Sequence, residues 1–365
     1  MRRFIKLLSI SLTILLTIVY LLGCALPWLS PNYFWLLGFI GFSFPYIIVV
    51  FIVVIMFWLF IKPKYALFLL LVLCCGYKQI NAFFAFNANT TFNKVKAINS
   101  IRIISWNIGN LSGKTQEKNA KKHKPEELAN LIIEQSADVI CLQEFADLRN
   151  GLTQSKVFTS INKEYPYFYF PSWTIGQYRH RSGNVIFSKT PILLTDSAVF
   201  ENGENIIKAD IVVNADTISF YTTHFDSYRF SRNEFEEIDG DKLDEEQSKK
   251  NWKNIFSKVK HTLNIHNIEA NIVNEVIKKS THPFIFCADM NEVPNNYVYW
   301  KIRENKQDAF LQKGFGMGKT FNSLTAALRI DYIMPNNNFN VLQFNIIDNG
   351  LSDHAMLVAD VELKK

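Results

Sequence analysis

The chain has 365 residues, 48% of them hydrophobic and 20% charged, which excludes a disordered or fibrous protein. Residues 1–93 hold six basic side chains (Arg2, Arg3, Lys6, Lys62, Lys64 and Lys78) and no acidic one, so of 39 basic and 33 acidic residues, 33 of each lie beyond. The formal charge of +6 thus belongs to the first quarter, which excludes a uniformly basic nucleic-acid-binding domain but leaves room for a local basic groove.

The first 86 residues are almost wholly apolar. Residues 7–26 form an uncharged run long enough to cross a hydrocarbon core of about 30 Å, and Pro27 is a natural stop. Residues 34–61 form a second run, with Tyr33, Trp35 and Trp58 placed as interfacial anchors. The third, 65–77, is short; it spans if it continues past Lys78 to Phe86, and otherwise reads as an interfacial or core helix. Arg2, Arg3 and Lys6 precede the first run, and Lys62 and Lys64 lie between the second and third. The positive-inside bias then puts the N-terminus in the cytoplasm. Three spans leave everything after residue 87 outside, in a bacterium beyond the inner membrane; two leave it inside. We expect three. Leu21-Leu22-Gly23-Cys24 resembles the lipobox of bacterial lipoprotein signal peptides, and it also reads as a plain Gly-Cys in a membrane helix. The five cysteines show no disulfide framework, and Cys141 and Cys287, in strand-like runs, read as buried free thiols.

Residues 87–94 form a polar linker between an anchor over 1–86 and a second unit over 95–365. In that unit β-rich runs recur at 101–106, 138–142, 184–187, 206–213, 217–223, 284–287, 330–334, 341–347 and 356–361. Residues 125–135 open with Pro125 at a helix start and carry Leu128, Leu131 and Ile132 on one face; helical spacing also runs from Trp252 to Ile277. His266 on that stripe reads as a satisfied core histidine. The acidic stretch 234–246 reads as a solvated loop before the long helix. Strands mixed with helices over about 270 residues predict one α/β or α+β sandwich.

Two phosphate-loop lookalikes fail. Gly318-Lys319-Thr320 has Lys313 where the loop needs glycine, and Gly113-Lys114-Thr115 has Ile108. Neither a GxSxG elbow nor an HExxH zinc motif is present. Instead, polar residues recur where apolar strands stop: Asn107, Glu144, His224, Asp289 with Asn291, Asp331, and Asp353-His354. One such ending is ordinary turn chemistry. Six form an inventory that suits a hard divalent cation and a phosphate ester, with carboxylates for the cation and histidines for proton transfer.

The segments SWNIGN, LQEF, TTHFDS, CADMNEVPNN, RIDYIM and LSDHAML resemble, in order, the motif set of the endonuclease/exonuclease/phosphatase superfamily, the fold of deoxyribonuclease type I. The resemblance covers roughly residues 100–363, and Ser182 to Lys189 resembles the family's middle strand. It implies a four-layer α/β sandwich with two packed mixed β-sheets, preceded here by about three transmembrane helices. It further implies Mg²⁺ or Mn²⁺, with Glu144 as principal ligand and Asn107 and Asp353 completing the metal's environment. Asp289 would orient or deprotonate the attacking water, and Asn291 would hold water and phosphate. His354, paired with Asp331, would contact the scissile phosphate, and His224 would bind phosphate or protonate the leaving oxygen. Asn107 also reads as a turn residue, and Asp331 as an ion-pair partner of Arg329. Tyr178 to Arg181 read either as a phosphate-facing lip or as a solvated basic turn; His123, His261 and His282 read as surface residues.

The expected activity is a membrane-anchored, metal-dependent phosphodiesterase, endonuclease-like in first place. A phospholipid- or inositol-phosphate-directed enzyme stands second, and a non-catalytic binding module on the same fold third. The expected partners are the lipid bilayer and the phosphoester substrate.

Overall fold

The computed structural model describes residues 2–87, 91–109, 125–147, 156–171, 181–240, 244–324 and 326–364. Five helices come first: α1 (Arg2–Ala25), α2 (Pro31–Phe34), α3 (Gly38–Ile61), α4 (Pro63–Cys75) and α5 (Tyr77–Phe83), followed by the short strand β1 (Ala85–Phe86). With 24 residues each, α1 and α3 are about 36 Å long, enough to cross a bilayer core. The third apolar segment is not one straight helix. The 13 residues of α4 reach only about 20 Å, and α5 leaves α4 at a 64° bend. Among the described residues, two helices are long and apolar enough to cross a membrane, or three if the bent pair counts as one span. Cys24 lies within α1, its thiol buried.

The remaining elements, in order, are β2 (Ile101–Asn107), α6 (Pro125–Glu134), β3 (Val139–Asp147), α7 (Lys156–Glu164), β4 (Tyr167–Tyr169), β5 (Arg181–Ser188), β6 (Ile192–Val199), β7 (Asn205–Val213) and β8 (Asp216–His224). Then come α8 (Arg232–Asp239), α9 (Glu245–Lys278), β9 (Phe284–Asp289), α10 (Tyr297–Arg303), α11 (Ala309–Lys313), β10 (Phe315–Gly316), β11 (Asp331–Pro335), β12 (Phe339–Ile347) and β13 (Met356–Leu363). A six-stranded sheet runs β12-β13-β2-β3-β5-β4 and a five-stranded one β11-β9-β8-β7-β6. Both are mixed: β2 with β3 and β8 with β9 are parallel, and the other pairs antiparallel.

Four layers follow from the apolar patterning. Ile103, Cys141 and Ile186 of one sheet meet Ile207, Phe220, Ile285 and Ile333 of the other between the sheets. Outside the six-stranded sheet, Leu128 and Ile132 of α6 and Val157 and Ile161 of α7 cover Ile140, Leu142 and Phe187. Outside the five-stranded sheet, Ala270, Val273 and Ile277 of α9 with Val298 and Ile302 of α10 cover Tyr221, Phe286 and Tyr332. Cys141 and Cys287 are buried free thiols, as expected.

The acidic stretch is not a solvated loop. Ser231 and Glu234 form a reciprocal capping box that starts α8, and Asp244 caps α9 by accepting from Glu246 N and Gln247 N. Glu234 is buried, 2.6 Å from Lys258 Nζ. The N-terminal helices pack on the sandwich at one end. A Cβ on Gly38 would crowd Leu263, and one on Gly41 would overlap Asn296 Oδ1. Asn295 Nδ2 donates to Gly23 O at 2.9 Å, and the buried Arg329 donates to Ala82 O at 2.6 Å.

Candidate active site

Strand register assembles the cluster. In the five-stranded sheet the last residue of β8, His224, lies abreast of the last of β9, Asp289, which lies abreast of the first of β11, Asp331. In the six-stranded sheet Asn107 ends β2 opposite Gln143 of β3. Pairing of β3 with β5 shifts register between Leu142 and Phe145, where Glu144 takes a left-handed φ of 48°. The buried Gln143 locks the sheets together here, donating to Ser105 Oγ at 3.2 Å and Thr222 Oγ1 at 2.8 Å.

Asp289 Oδ2 is the hub. Asn107 Nδ2 donates to it at 2.8 Å, and the Nε2 atoms of His224 and His354 lie 3.6 and 3.7 Å away. Its other oxygen accepts from Asn291 N at 2.9 Å, so a fully buried carboxylate is bonded at both ends. Asn107 Nδ2 also reaches Glu144 Oε1 at 3.1 Å, and His224 Nε2 lies 3.4 Å from that same oxygen. Asn291 Nδ2 lies 3.2 Å from His224 Nε2 and donates to Phe225 O at 3.0 Å. All eight residues singled out in the sequence converge; Asp353 stands at the rim, with Ser323 Oγ 3.3 Å from its Oδ2.

Two imidazoles sit among these carboxylates. Burial opposes a charge on His224, but Glu204, Glu144 and Asp289 together raise its pKa well above the usual imidazole value. Burial opposes the charge on His354 too, yet Asp331 and then Asp289 raise its pKa to about 10. Asp331 holds His354 Nδ1 with both oxygens, at 3.1 and 3.0 Å. Burial raises Asp331 to about 6, against the pull of His354. Asp331 is not the partner of Arg329, whose guanidinium pairs with Asp308 at 2.6 Å.

Several participants were not visible in the sequence. Glu204 places Oε1 3.4 Å from His224 Nδ1, from the turn between β6 and β7. Thr320 sits in one of the dismissed phosphate-loop lookalikes; its Oγ1 accepts from Ile330 N and Asp331 N, fixing the start of β11. Phe321 packs on the His354 ring at 5.0 Å, Ser352 Oγ accepts from His354 N, and Trp106 Nε1 donates to His354 O. His266 is a satisfied core histidine, held by Glu292 and the carbonyl of Asp226. His261 is exposed and His282 half-buried; His123 and residues 178–180 lie outside the described residues.

Carboxylates gathered this way suit a cation. Among the described residues no Lys or Arg pairs with Asp289, Asp331 or Asp353, and Asp289, Asp331 and His354 bring possible ligand atoms within 4.8 Å of one another. The Endonuclease/Exonuclease/phosphatase family matches residues 104–354, well over half of the chain and every residue of this cluster. The chain belongs to the endonuclease/exonuclease/phosphatase family. Members of this family are phosphoric ester hydrolases and generally use divalent metals. A second match, Domain of unknown function (DUF8431), covers residues 3–83.

Solved structures carry the same fold. An endonuclease/exonuclease/phosphatase from Beutenbergia cavernae DSM 12333 is 16% identical, over 73% of this chain and 72% of that one, with a TM-score of 0.52. An endonuclease/exonuclease/phosphatase family protein from Leptotrichia buccalis C-1013-b is 18% identical, over 72% of this chain and 100% of that one, with a TM-score of 0.50. No curated protein matches the chain.

Proposed function

We propose that this family member is a membrane-anchored, divalent-metal-dependent phosphodiesterase. The observation that carries the reading is the convergence of Glu144, Asp289, Asp331, two histidines and two amides at one end of the paired sheets. In this reading Glu144, partly open to the cleft, is the principal metal ligand, and Asn107 and Asp353 complete the site. Oxygen donors of this kind fit Mg²⁺ or Mn²⁺. Asn107 here turns its nitrogen to the carboxylates and its oxygen to Gly109 N, and a half-turn of the amide exchanges the two. With its Nδ1 held by Asp331, His354 is left to present Nε2 to the phosphate.

The bound cation would draw charge from the phosphate oxygens. Asp289 orients the attacking water and takes its proton, with Asn291 holding water and phosphate beside it. His354 presents Nε2–H to the phosphate while Asp331 fixes its ring. His224, kept protonated by its carboxylate neighbours, supplies the proton to the leaving oxygen.

The residues divide into an anchor over 1–86, a linker over 87–94 and a catalytic part over 95–365. The bilayer is then a standing partner, and the catalytic part faces away from the cytoplasm, in a bacterium beyond the inner membrane. The site reading is tested with the full chain in detergent. Mn²⁺ binding, read by titration calorimetry, is expected in the wild type and lost in Glu144→Ala, whose circular dichroism stays unchanged. Equal Mn²⁺ binding by both proteins would refute the ligand assignment.

A further inference from the structure

The cleft does not stop at the polar cluster. It runs on into a cavity of about 460 Å³, within the usual range of about 300–1,000 Å³ for small-molecule sites. The polar end holds the catalytic cluster. The opposite wall is apolar and aromatic: Phe39, Phe42 and Tyr46 of α3, Phe235 of α8, and Trp252 and Ile255 of α9. A helix of membrane-crossing length therefore builds part of the catalytic chamber.

Charge argues about the occupant. Among the described residues of the lining, Arg229 is the single lysine or arginine, and its Nη2 is paired with Asp226 Oδ1 at 2.6 Å. A nucleic-acid strand needs cations that track its phosphates. This wall offers rings and hydrocarbon instead. Position argues the same way, because the wall comes from the first turns of α3, beside a belt of exposed aromatics. Trp28 is 74% exposed and Tyr33 83%, while Trp252 and Phe256 of α9 are each 39% exposed. Trp35 meets Phe256 edge-on with centroids 6.4 Å apart, which brings α9 into that belt. Aromatic side chains of this kind sit at the headgroup level of a bilayer. With that belt at the headgroup level, the chamber would lie near the depth of a lipid's phosphate and the start of its chain.

We infer that the chamber takes the hydrocarbon chain of a membrane lipid phosphoester, with the phosphate at the polar end. The inference rests on the phosphodiesterase reading above and names its substrate class. Water's oxygen bonds to phosphorus, the P–O bond to the leaving alcohol breaks, and the proton released ends on the departing oxygen.

The test uses the full chain in lipid nanodiscs with Mg²⁺, offered methyl, butyl and octyl para-nitrophenyl phosphate and, separately, supercoiled plasmid DNA. In the wild type kcat/KM is expected to rise at least about tenfold from the methyl to the octyl ester, as burial of added methylenes predicts. Ser43→Trp, which adds bulk to the α3 wall, is expected to remove most of that gradient. A flat wild-type series overturns the inference and needs no variant. So does a full gradient in a Ser43→Trp protein of wild-type Tm, or nicking of DNA with no gain for the octyl ester. Glu144→Ala separates the two readings: a flat but Glu144-dependent series removes only the lipid substrate. Turnover that survives Glu144→Ala, or no turnover of any ester, removes the hydrolase reading and this inference with it.

Discussion

At the scale of single residues, the site depends on how burial and charge are balanced around two histidines, and a third shows the same balance away from the cleft. His266 is fully buried between Glu292 Oε1 at 2.9 Å and the carbonyl of Asp226 at 2.6 Å. Burial alone would lower its pKa, but Glu292 and then Glu269 raise it above the ordinary 6.5. A histidine whose folded pKa is raised stabilises the fold fully below the unfolded value, and the contribution fades as pH rises through the folded one. The stability difference between wild type and His266→Gln, read by urea denaturation, is therefore expected to be larger at about pH 5.5 than at about pH 9. A difference that grows with pH would contradict the charged His266–Glu292 pair.

The residues most legible in the sequence were those whose chemistry is announced by their own strand. Asn107, His224 and Asp289 each close a hydrophobic run; register sets His224 beside Asp289 within one sheet, and the packing of the two sheets brings in Asn107. Glu204 had no such signal, because its role depends on the turn between β6 and β7 folding back onto His224. The pairing of Asp331 with His354 was legible, whereas the partner of Arg329 was not. Asp331 is two residues away, but strand geometry sends that carboxylate to His354, and Arg329 reaches Asp308 instead.

At the scale of elements, periodicity located most of the long strands and α9 but not β6, an eight-residue strand with mostly exposed side chains, and short elements such as α10 and β4 carry too few residues to show a period. The docking of α3 was also hidden. Its apolar sequence reads as lipid-facing all round, yet Gly38 and Gly41 mark a face that touches protein. Asn296, which a Cβ at Gly41 would strike, is fixed by its own bond to Glu292 Oε2 at 2.6 Å and has little freedom to move. Gly41→Val is thus expected to lower Tm by several degrees, in line with about 1–3 kcal/mol for overpacking. Gly109 carries a left-handed φ of 57°, and among the described residues a Cβ on it would come no nearer than 3.6 Å, to Asp353 Oδ1; Gly109→Ala would add backbone strain without such a clash. A Gly41→Val protein as stable as wild type would mean that α3 does not pack on the sandwich in this way.

For the molecule as a whole, the N-terminal helices and the sandwich share a core. Phe44, Ile48 and Phe51 of α3 belong to one apolar cluster with Val293 and Ile330 of the sandwich. The contacts that tie the two parts involve Gly23, Gly38, Gly41 and Ala82, at the end of the helices remote from Lys6, Lys62 and Lys64. Under the anchored reading proposed above, the positive-inside bias puts the catalytic part on the side opposite the N-terminus. Alkaline phosphatase fused after Lys364 is expected to be active in a bacterial host and a green fluorescent protein fusion at the same point dark. The reverse pattern would place the catalytic part in the cytoplasm.

The proposed hydrolysis of phosphoesters with a divalent cation rests on a carboxylate–histidine cluster assembled at the ends of two sheets, beside a helix of membrane-crossing length. Its most direct test is release of para-nitrophenol from octyl para-nitrophenyl phosphate by the full chain in nanodiscs. The assay is run with Mg²⁺ or Mn²⁺, with EDTA, and with Glu144→Ala and His354→Ala in parallel. Turnover is expected that EDTA abolishes and that each substitution lowers at least about 100-fold, with the fold retained by circular dichroism. Turnover indifferent to EDTA, or retained in both variants, would contradict it.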